Sequence, residues 1–547
     1  MDGTTPALAV AGRNIKNVAA DNKKNKNGVN MRWRNLRLAI LSGILLVLIF
    51  PKFNLSFLAW VALVPLFLAL EGRNLRESFN LGFLAGLVSF MGILYWIFPT
   101  VVSSGESKLL GLVSLLFLAS YVAIYYGLFC LIFRYLSLKI THFTLSLLFA
   151  PALWVSLELL RAYFLSGLPW ALLGYSQWNF TPLIQISEFT GVYGVSFLIV
   201  MVNMVLMQAG RSFGFYRREG VVSKARVKRT ALLLALSVLV FLSCLAYGLI
   251  TISRESFTKK GNFPEEKSMT RITLLQGNID QYMKWDKKYE RMIKDTYGEL
   301  VKTAAKENPQ LIIWPETALP GYLRRERQLQ EWVKKVVGQT NAYHIIGSPE
   351  YREGAYYNAA FLISPQGEIL GGYDKIHLVP FGEIVPFRSI LSPLIGVLNE
   401  LGDFSPGRER KLLRSPLGSF AVLICWEGIF PHLVRKFVKD GADYVTNITN
   451  DAWFLNTAAP FQHFIMSIFR AVENRVSIIR VANTGVSGFI DKYGRITKKT
   501  EIFKKDYLNS SVSRRNQQTF YTNYGDIFAY LCIVLSISFI AWRRFKC

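Results

Sequence analysis

Phe420-Ala421-Val422-Leu423-Ile424-Cys425-Trp426-Glu427-Gly428 sets a run of apolar, partly β-branched residues directly before a cysteine, a carboxylate and a glycine. Such a run ended by such a break reads as a buried strand that turns sharply at Cys425. A strand-to-helix turn exposes the sulfur and offers backbone N–H groups to an oxyanion. Moving outward, short β-branched runs recur at Arg271–Gln276, Gln310–Trp314, His344–Gly347, Tyr444–Ile448 and Ser477–Val481. Helical stretches at Lys287–Glu307, Arg327–Thr340 and Pro460–Asn474 lie between several of them. This alternation predicts an α/β domain over 254–520, long enough for a core of its own.

The rest of the chain is of another kind. With 547 residues, 51% hydrophobic and only 18% charged, it is too apolar for one soluble globule. Apolar stretches at 37–53, 55–71, 80–102, 109–133, 143–160, 191–209, 231–252 and 525–542 predict about eight transmembrane helices. The first two are short and read equally as a re-entrant hairpin around Pro51-Lys52-Phe53-Asn54. The domain order is then a polar basic tail over 1–36, seven segments over 37–253, the α/β domain over 254–520, and an eighth segment with a short basic end over 521–547.

Basic residues gather in the tail (Lys23, Lys24, Lys26, Arg32, Arg34), near Arg73 and Arg76, around Arg134 and Lys139, over Arg211 to Arg229, and at Arg543, Arg544 and Lys546. Counted over eight segments, all fall on one side, which the positive-inside rule makes cytoplasmic. Both termini are then inside and the α/β domain outside. The net charge of +26 comes with no nucleic-acid motif, so its partner is expected to be anionic lipid head groups at the bilayer surface. The five cysteines show neither disulfide nor zinc spacing, so no disulfide, metal or cofactor is expected.

Three polar residues stand at or just beyond apolar runs: Glu316 in Trp314-Pro315-Glu316-Thr317, Lys375 in Tyr373-Asp374-Lys375-Ile376-His377, and Cys425. A carboxylate can take a thiol proton, and an ammonium can stabilise thiolate and oxyanion, which suffices for acyl transfer through a thioester. Singly each is ordinary, because a cysteine after a strand is usually a small buried residue and a lone Glu or Lys is usually solvated. Together with Phe381-Gly382-Glu383 and Cys425-Trp426-Glu427, their wording and order resemble the nitrilase superfamily.

The membrane portion extends the likeness, and from about residue 35 the chain resembles the apolipoprotein N-acyltransferases, bacterial enzymes that add the third acyl chain to lipoproteins. Gln276-Gly277-Asn278, Lys284-Trp285, Asn447 to Phe454, Arg470 to Arg475 and Asn483-Thr484-Gly485 carry it further. The resemblance implies an α-β-β-α sandwich in a bacterial inner-membrane protein, with Cys425 as nucleophile, Glu316 as general base and Lys375 stabilising the oxyanion. It implies a phospholipid donor and a diacylated apolipoprotein acceptor. Glu383 and Glu427 would orient Lys375, or serve as structural ion-pair members. Trp426 stands where the family often has Tyr, which leaves a phenol hydroxyl without a role. Trp285, Trp170, Trp178 and Tyr373 are candidate substrate contacts, although tryptophans in such loops also form interfacial belts. Glu158 and Arg161, near the outer end of the fifth segment, are expected to pair with each other or with a head group. A monomer is expected.

His377 is the alternative base: on a regular strand it would share the face of Lys375, but no Asn or Asp orienter accompanies it. Two other readings are a membrane-tethered amidase, in which water takes the thioester, and a transporter with an inert outer domain.

Overall fold

A computed structural model describes residues 31–137, 143–219, 224–260, 269–284, 286–385 and 404–545. The basic tail before residue 31, Lys139, Trp285, Lys546 and the final cysteine lie outside the described residues.

The α/β part contains two six-stranded sheets. The first uses β1 (Met269–Gln276), β2 (Leu311–Ile313), β3 (Tyr343–Arg352), β4 (Ala355–Ile363), β5 (Ile369–Asp374) and β12 (Asp506–Ser513) in the order β12-β1-β2-β3-β4-β5. The second uses β6 (Leu413–Ser415), β7 (Gly418–Ile424), β8 (Tyr444–Thr449), β9 (Ile478–Ala482), β10 (Gly488–Ile490) and β11 (Ile496–Lys499), in the order β11-β10-β9-β8-β7-β6. Each is parallel at its centre (β1-β2-β3 and β7-β8-β9) and antiparallel at its edges.

Strand periodicity decides the layering. Leu311 and Ile313 face the second sheet in one core with Phe420, Val422 and Ile448. Ile312 and Trp314 face the other way, into a second core under helices α7 (Glu290–Ala305) and α8 (Arg327–Val337). Helices α9 (Pro431–Lys439) and α10 (Ala459–Asn474) cover the far side of the second sheet, which completes the α-β-β-α sandwich.

The apolar half is helical: α1 (31–48), α2 (Leu75–Ile93), α3 (Lys108–Ser137), α4 (Phe143–Tyr163), α5 (Val192–Glu219), α6 (Lys224–Lys260) and, after the sandwich, α11 (Ile527–Phe545). The expected count of eight spans needs correction. Among the described residues four helices are long and apolar enough to cross a bilayer, at 108–137, 147–166, 192–212 and 227–254. A fifth is reached if α2 and the Ile97–Ser103 helix, bent by 48° at their break, form one span. The second apolar run is broken into Ser56–Trp60 and Val64–Ala69, too short for the ~30 Å hydrocarbon core. The last apolar helix, Ile527–Trp542, also falls short. Apolar composition is legible in sequence, whereas helix breaks depend on turns such as that at Pro51 to Asn54.

Helix packing follows small residues. A Cβ at Gly82 would lie 2.5 Å from Tyr126 O, and one at Gly86 2.9 Å from Ala123 Cα. The i, i+4 glycines therefore let α2 and α3 approach backbone to backbone.

Every residue of α10 except Phe461 is buried, because one face packs on the second sheet and the other on the helical bundle. Gln462 joins the two. Its Oε1 accepts from Trp170 Nε1 at 2.8 Å and Trp96 Nε1 at 3.3 Å, and its Nε2 donates to Ile93 O at 3.1 Å and Pro51 O at 3.3 Å. Replacing it with Leu leaves two indole donors and two carbonyls buried without partners, each costing ~1–3 kcal/mol. Gln462→Leu is expected to lower the melting temperature in detergent, with a loss of at least ~2 kcal/mol; an unchanged melting temperature would refute this junction.

Candidate active site

The ends of β2, β5, β7, β8 and β9 deliver Glu316, Lys375, Cys425, Asn450 and Asn483 to one region, as expected where strand ends open a crevice in an α/β sheet. Three non-glycine residues there adopt left-handed backbone: Thr317 (φ 45°), Phe381 (φ 62°) and Cys425 itself (φ 52°). Each costs ~1–3 kcal/mol, which the surrounding contacts must offset.

The turn at Glu316 exists because β3 carries a glycine beneath it. A Cβ at Gly347 would sit 2.3 Å from Pro315 O and 2.8 Å from Glu316 Cα. The Ala318 N–H donates to Gly347 O at 2.9 Å and fixes the register of the turn. Glu316 Oε2 accepts from the Asn450 N–H at 2.7 Å, and Oε1 from Asn358 Nδ2 at 2.7 Å.

Lys375 follows β5 directly and is 1% exposed. Its Nζ lies 2.8 Å from Glu383 Oε2 and 3.6 Å from Glu316 Oε1. Burial opposes its charge, but Glu383, Glu316 and Cys425 outweigh burial and hold the ammonium above the usual lysine range. Burial likewise opposes ionisation of Glu383, and Lys375 with the Val379 N–H holds that carboxyl below its usual range. Asn358 Nδ2 donates to Glu316 and, at 2.9 Å, to Glu383 Oε1, so one amide spans the two carboxylates.

Cys425 has its thiol pushed up by burial and by the Glu316 carboxylate, with Lys375 pulling the other way. Its surroundings therefore disfavour the thiolate on balance. Glu427 is fully buried and braces the turn. Its Oε2 accepts from the Ile424 N–H at 2.8 Å, and its Oε1 from Tyr373 OH at 2.7 Å, the Ile376 N–H at 2.7 Å and the His377 N–H at 3.1 Å. Of the two expected partners, Glu383 holds Lys375 by contact, whereas Glu427 acts on the backbone beside it. From below, Asn447 Nδ2 donates to Leu423 O at 3.2 Å and Cys425 O at 3.1 Å. Asn447 is held by Arg480, which also donates to Asp451 Oδ2 at 3.0 Å. Burial opposes ionisation of Asp451, but Arg480 and His463 bring it down to about 2.

Other expected site residues are placed differently. Strand β5 ends at Asp374, so the parity that put His377 on the face of Lys375 does not apply. His377 packs against Phe430 with ring centroids 4.0 Å apart and planes tilted by 40°, and its Nε2 lies 3.4 Å from Ser166 Oγ. Burial and Lys375 bring it down to about 4. Trp170 and Tyr373 are buried and do not line an open entrance: Trp170 stacks on Trp426 at 5.6 Å, and Tyr373 serves Glu427. Trp178 is half-buried. Trp285 lies outside the described residues. Glu158 and Arg161 each hold the backbone of the Leu168–Leu173 loop: Glu158 Oε1 accepts from the Leu173 N–H at 2.7 Å, and Arg161 Nη2 donates to Trp170 O at 3.2 Å. Asn358 and Gln462 escaped sequence reading, since an amide inside a strand or an apolar helix carries no local signature.

Two family matches divide the chain at the same place as the fold. Residues 271–518 match the carbon-nitrogen hydrolase family, and residues 42–205 match the apolipoprotein N-acyltransferase N-terminal domain. The sandwich is thus a nitrilase-superfamily domain. The apolipoprotein N-acyltransferase of Geobacter metallireducens is 41% identical over 522 residues, covering 93% of this chain and 96% of its own. That of Allorhizobium ampelinum is 34% identical over 489 residues, covering 85% and 87%. The chain belongs to the apolipoprotein N-acyltransferase family. Among solved structures, a nitrilase-superfamily amidase from Nesterenkonia AN1 aligns at 18% identity with a TM-score of 0.36, covering 45% of this chain and 91% of that one.

The charges around Cys425 fix how it should titrate. Glu316→Gln removes a negative neighbour and is expected to shift the pH midpoint of Cys425 alkylation downward. Lys375→Met is expected to shift it upward. Maleimide labelling followed by intact mass, with Cys425→Ala as background, measures both, and midpoints that stay together would show that neither group acts on the sulfur.

Proposed function

We propose that this protein transfers an acyl chain from a phospholipid, through a thioester on Cys425, to the α-amino group of an N-terminal diacylglyceryl-cysteine on an apolipoprotein. The observation that carries the reading is the left-handed turn at Cys425, in the field of a buried ammonium that two carboxylates hold. The names of the relatives, apolipoprotein N-acyltransferases, support the acceptor class.

In the first half-reaction Glu316 takes the thiol proton as Sγ attacks the ester carbonyl of the phospholipid. Lys375 stabilises the oxyanion, the C–O bond breaks, and Glu316 returns the proton to the departing lysophospholipid oxygen. In the second, the acceptor amine attacks the thioester carbonyl and gives its proton to Glu316. The C–S bond then breaks and the thiolate recovers that proton, leaving an amide. A thiol whose ionisation is disfavoured suits this scheme, because a base is then needed at the moment of attack. Glu383 and Asn358 hold the ammonium and base in register, while Glu427 and Trp426 hold the turn.

Membrane placement fits substrates that are both lipids, since extraction of an acyl chain into water costs ~0.8 kcal/mol per CH₂. The stacking of Trp170 on Trp426 supports a site set against the bundle. We read the chain as a multi-pass protein of the bacterial inner membrane, both termini cytoplasmic and the sandwich outside. On this reading the first two runs return the chain to the side it entered from, and the last helix crosses to bring the C-terminus back inside.

Full-length protein incubated with phospholipid is expected to gain the mass of one acyl chain, to lose it on addition of a diacylated lipopeptide, and to yield the lipopeptide amide. Cys425→Ala should gain nothing. An equal adduct on Cys425→Ala would remove the nucleophile assignment, and release of free fatty acid without amide would make the protein a hydrolase.

A further inference from the structure

The 277–284 loop leaves the end of β1 and runs along the segment that carries Glu316. Asn483 fixes its start, donating from Nδ2 to Ile279 O at 2.6 Å and accepting at Oδ1 from the Ile279 N–H at 3.0 Å. Gln281 Oε1 accepts from Asn450 Nδ2, and the N–H of that same Asn450 donates to Glu316 Oε2. Tyr282 OH donates to Ser103 O, at the end of the helix that follows α2, so the loop is also anchored to the bundle.

Lys284 closes the loop from the other side. Its Nζ donates to Glu316 O at 3.2 Å and Thr317 Oγ1 at 3.3 Å, and the residue is 5% exposed. Those partners are neutral, and an ammonium buried among neutral groups costs several kcal/mol. Charge near it supplies a reason for its presence. Glu316 and Glu383 share one cation, Lys375, which leaves this group net negative when both are ionised. The Glu316 carboxylate lies close enough to favour the charged form of Lys284.

We infer that Lys284 is a positioning residue for the reaction: it pins the left-handed Thr317 turn that aims the Glu316 carboxylate, and it adds a second positive charge beside that carboxylate. Burial draws its ammonium down to about 7, against the pull of Glu316, so the residue carries its charge at acidic pH. The ionisable groups facing Glu316 are Lys284 and Lys375, with Cys425 beside it and Glu383 across Lys375. The inference rests on Glu316 being the base.

The test is the rate of acyl loading of full-length protein from phospholipid micelles, followed by intact mass across pH. Lys284→Met is expected to load ~10–100-fold more slowly, as a displaced catalytic group does, and to move the acid limb of the profile to higher pH. Lys284→Gln keeps an N–H donor without charge; it should shift the limb equally and lose less rate. Lys284→Arg should leave the limb in place. A Lys284→Gln limb at the wild-type position overturns the inference, as does loading by Lys284→Met within about twofold of wild type. If Lys284→Met does not fold, Lys284→Gln decides alone. Glu316→Gln run in parallel separates the two claims. If it loads normally, the base assignment fails and this inference with it; if it is inert while the Lys284 variants behave as wild type, only the role of Lys284 fails.

Discussion

One ammonium buried between two carboxylates governs the arrangement of the site. An isolated Lys375 at 1% exposure would lose its proton or unfold its surroundings. Glu383 and Glu316 keep it charged, and in doing so leave a negative excess that must itself be satisfied. Backbone N–H groups of Asn450 and Val379 and the amide of Asn358 meet that demand. The polar groups around the site are therefore chiefly donors.

That electrostatic cluster stands on strained backbone, and the strain is opposed by hydrogen bonds that cross the two sheets. Glu427, on the turn after β7 in the second sheet, accepts N–H groups just past β5 in the first. Glu316, after β2 in the first sheet, accepts the N–H just past β8 in the second. The Cys425 turn and the ammonium are thereby fixed relative to each other by carboxylates that seldom tolerate burial without such contacts.

The bundle enters the same network through α10. Because this helix is covered on both sides, its polar residues are spent internally: Gln462 on the bundle, His463 on Asp451, and Glu473 on Arg470 and the Val192 N–H. The indole of Trp170 passes from Gln462 to Trp426, next to Cys425. Arg475 adds a second link, with its Nε 2.6 Å from Glu188 Oε2. The helical part thus forms a wall of the candidate site.

Much of this was legible in the sequence. Strand runs and the helices between them follow from periodicity, and six of the twelve strands of the two sheets were marked by β-branched runs. The edge strands were not, since β5 with Gly371 and Gly372, or β11 with Lys498 and Lys499, lack that composition. Glu316, Lys375, Cys425 and Glu383 were marked by wording that motifs preserve, and the structure brings them together. Sequence by itself determined the two-part organisation, because apolar length and alternating pattern are local properties of the chain. Tertiary structure alone decided which apolar runs are long enough to cross a bilayer, that Trp170 and Tyr373 are buried supports, and that Asn358, Gln462 and Lys284 complete the site. Their roles depend on partners between 25 and 411 residues away, and no local pattern encodes a contact that only the packing of two sheets and a helical bundle creates.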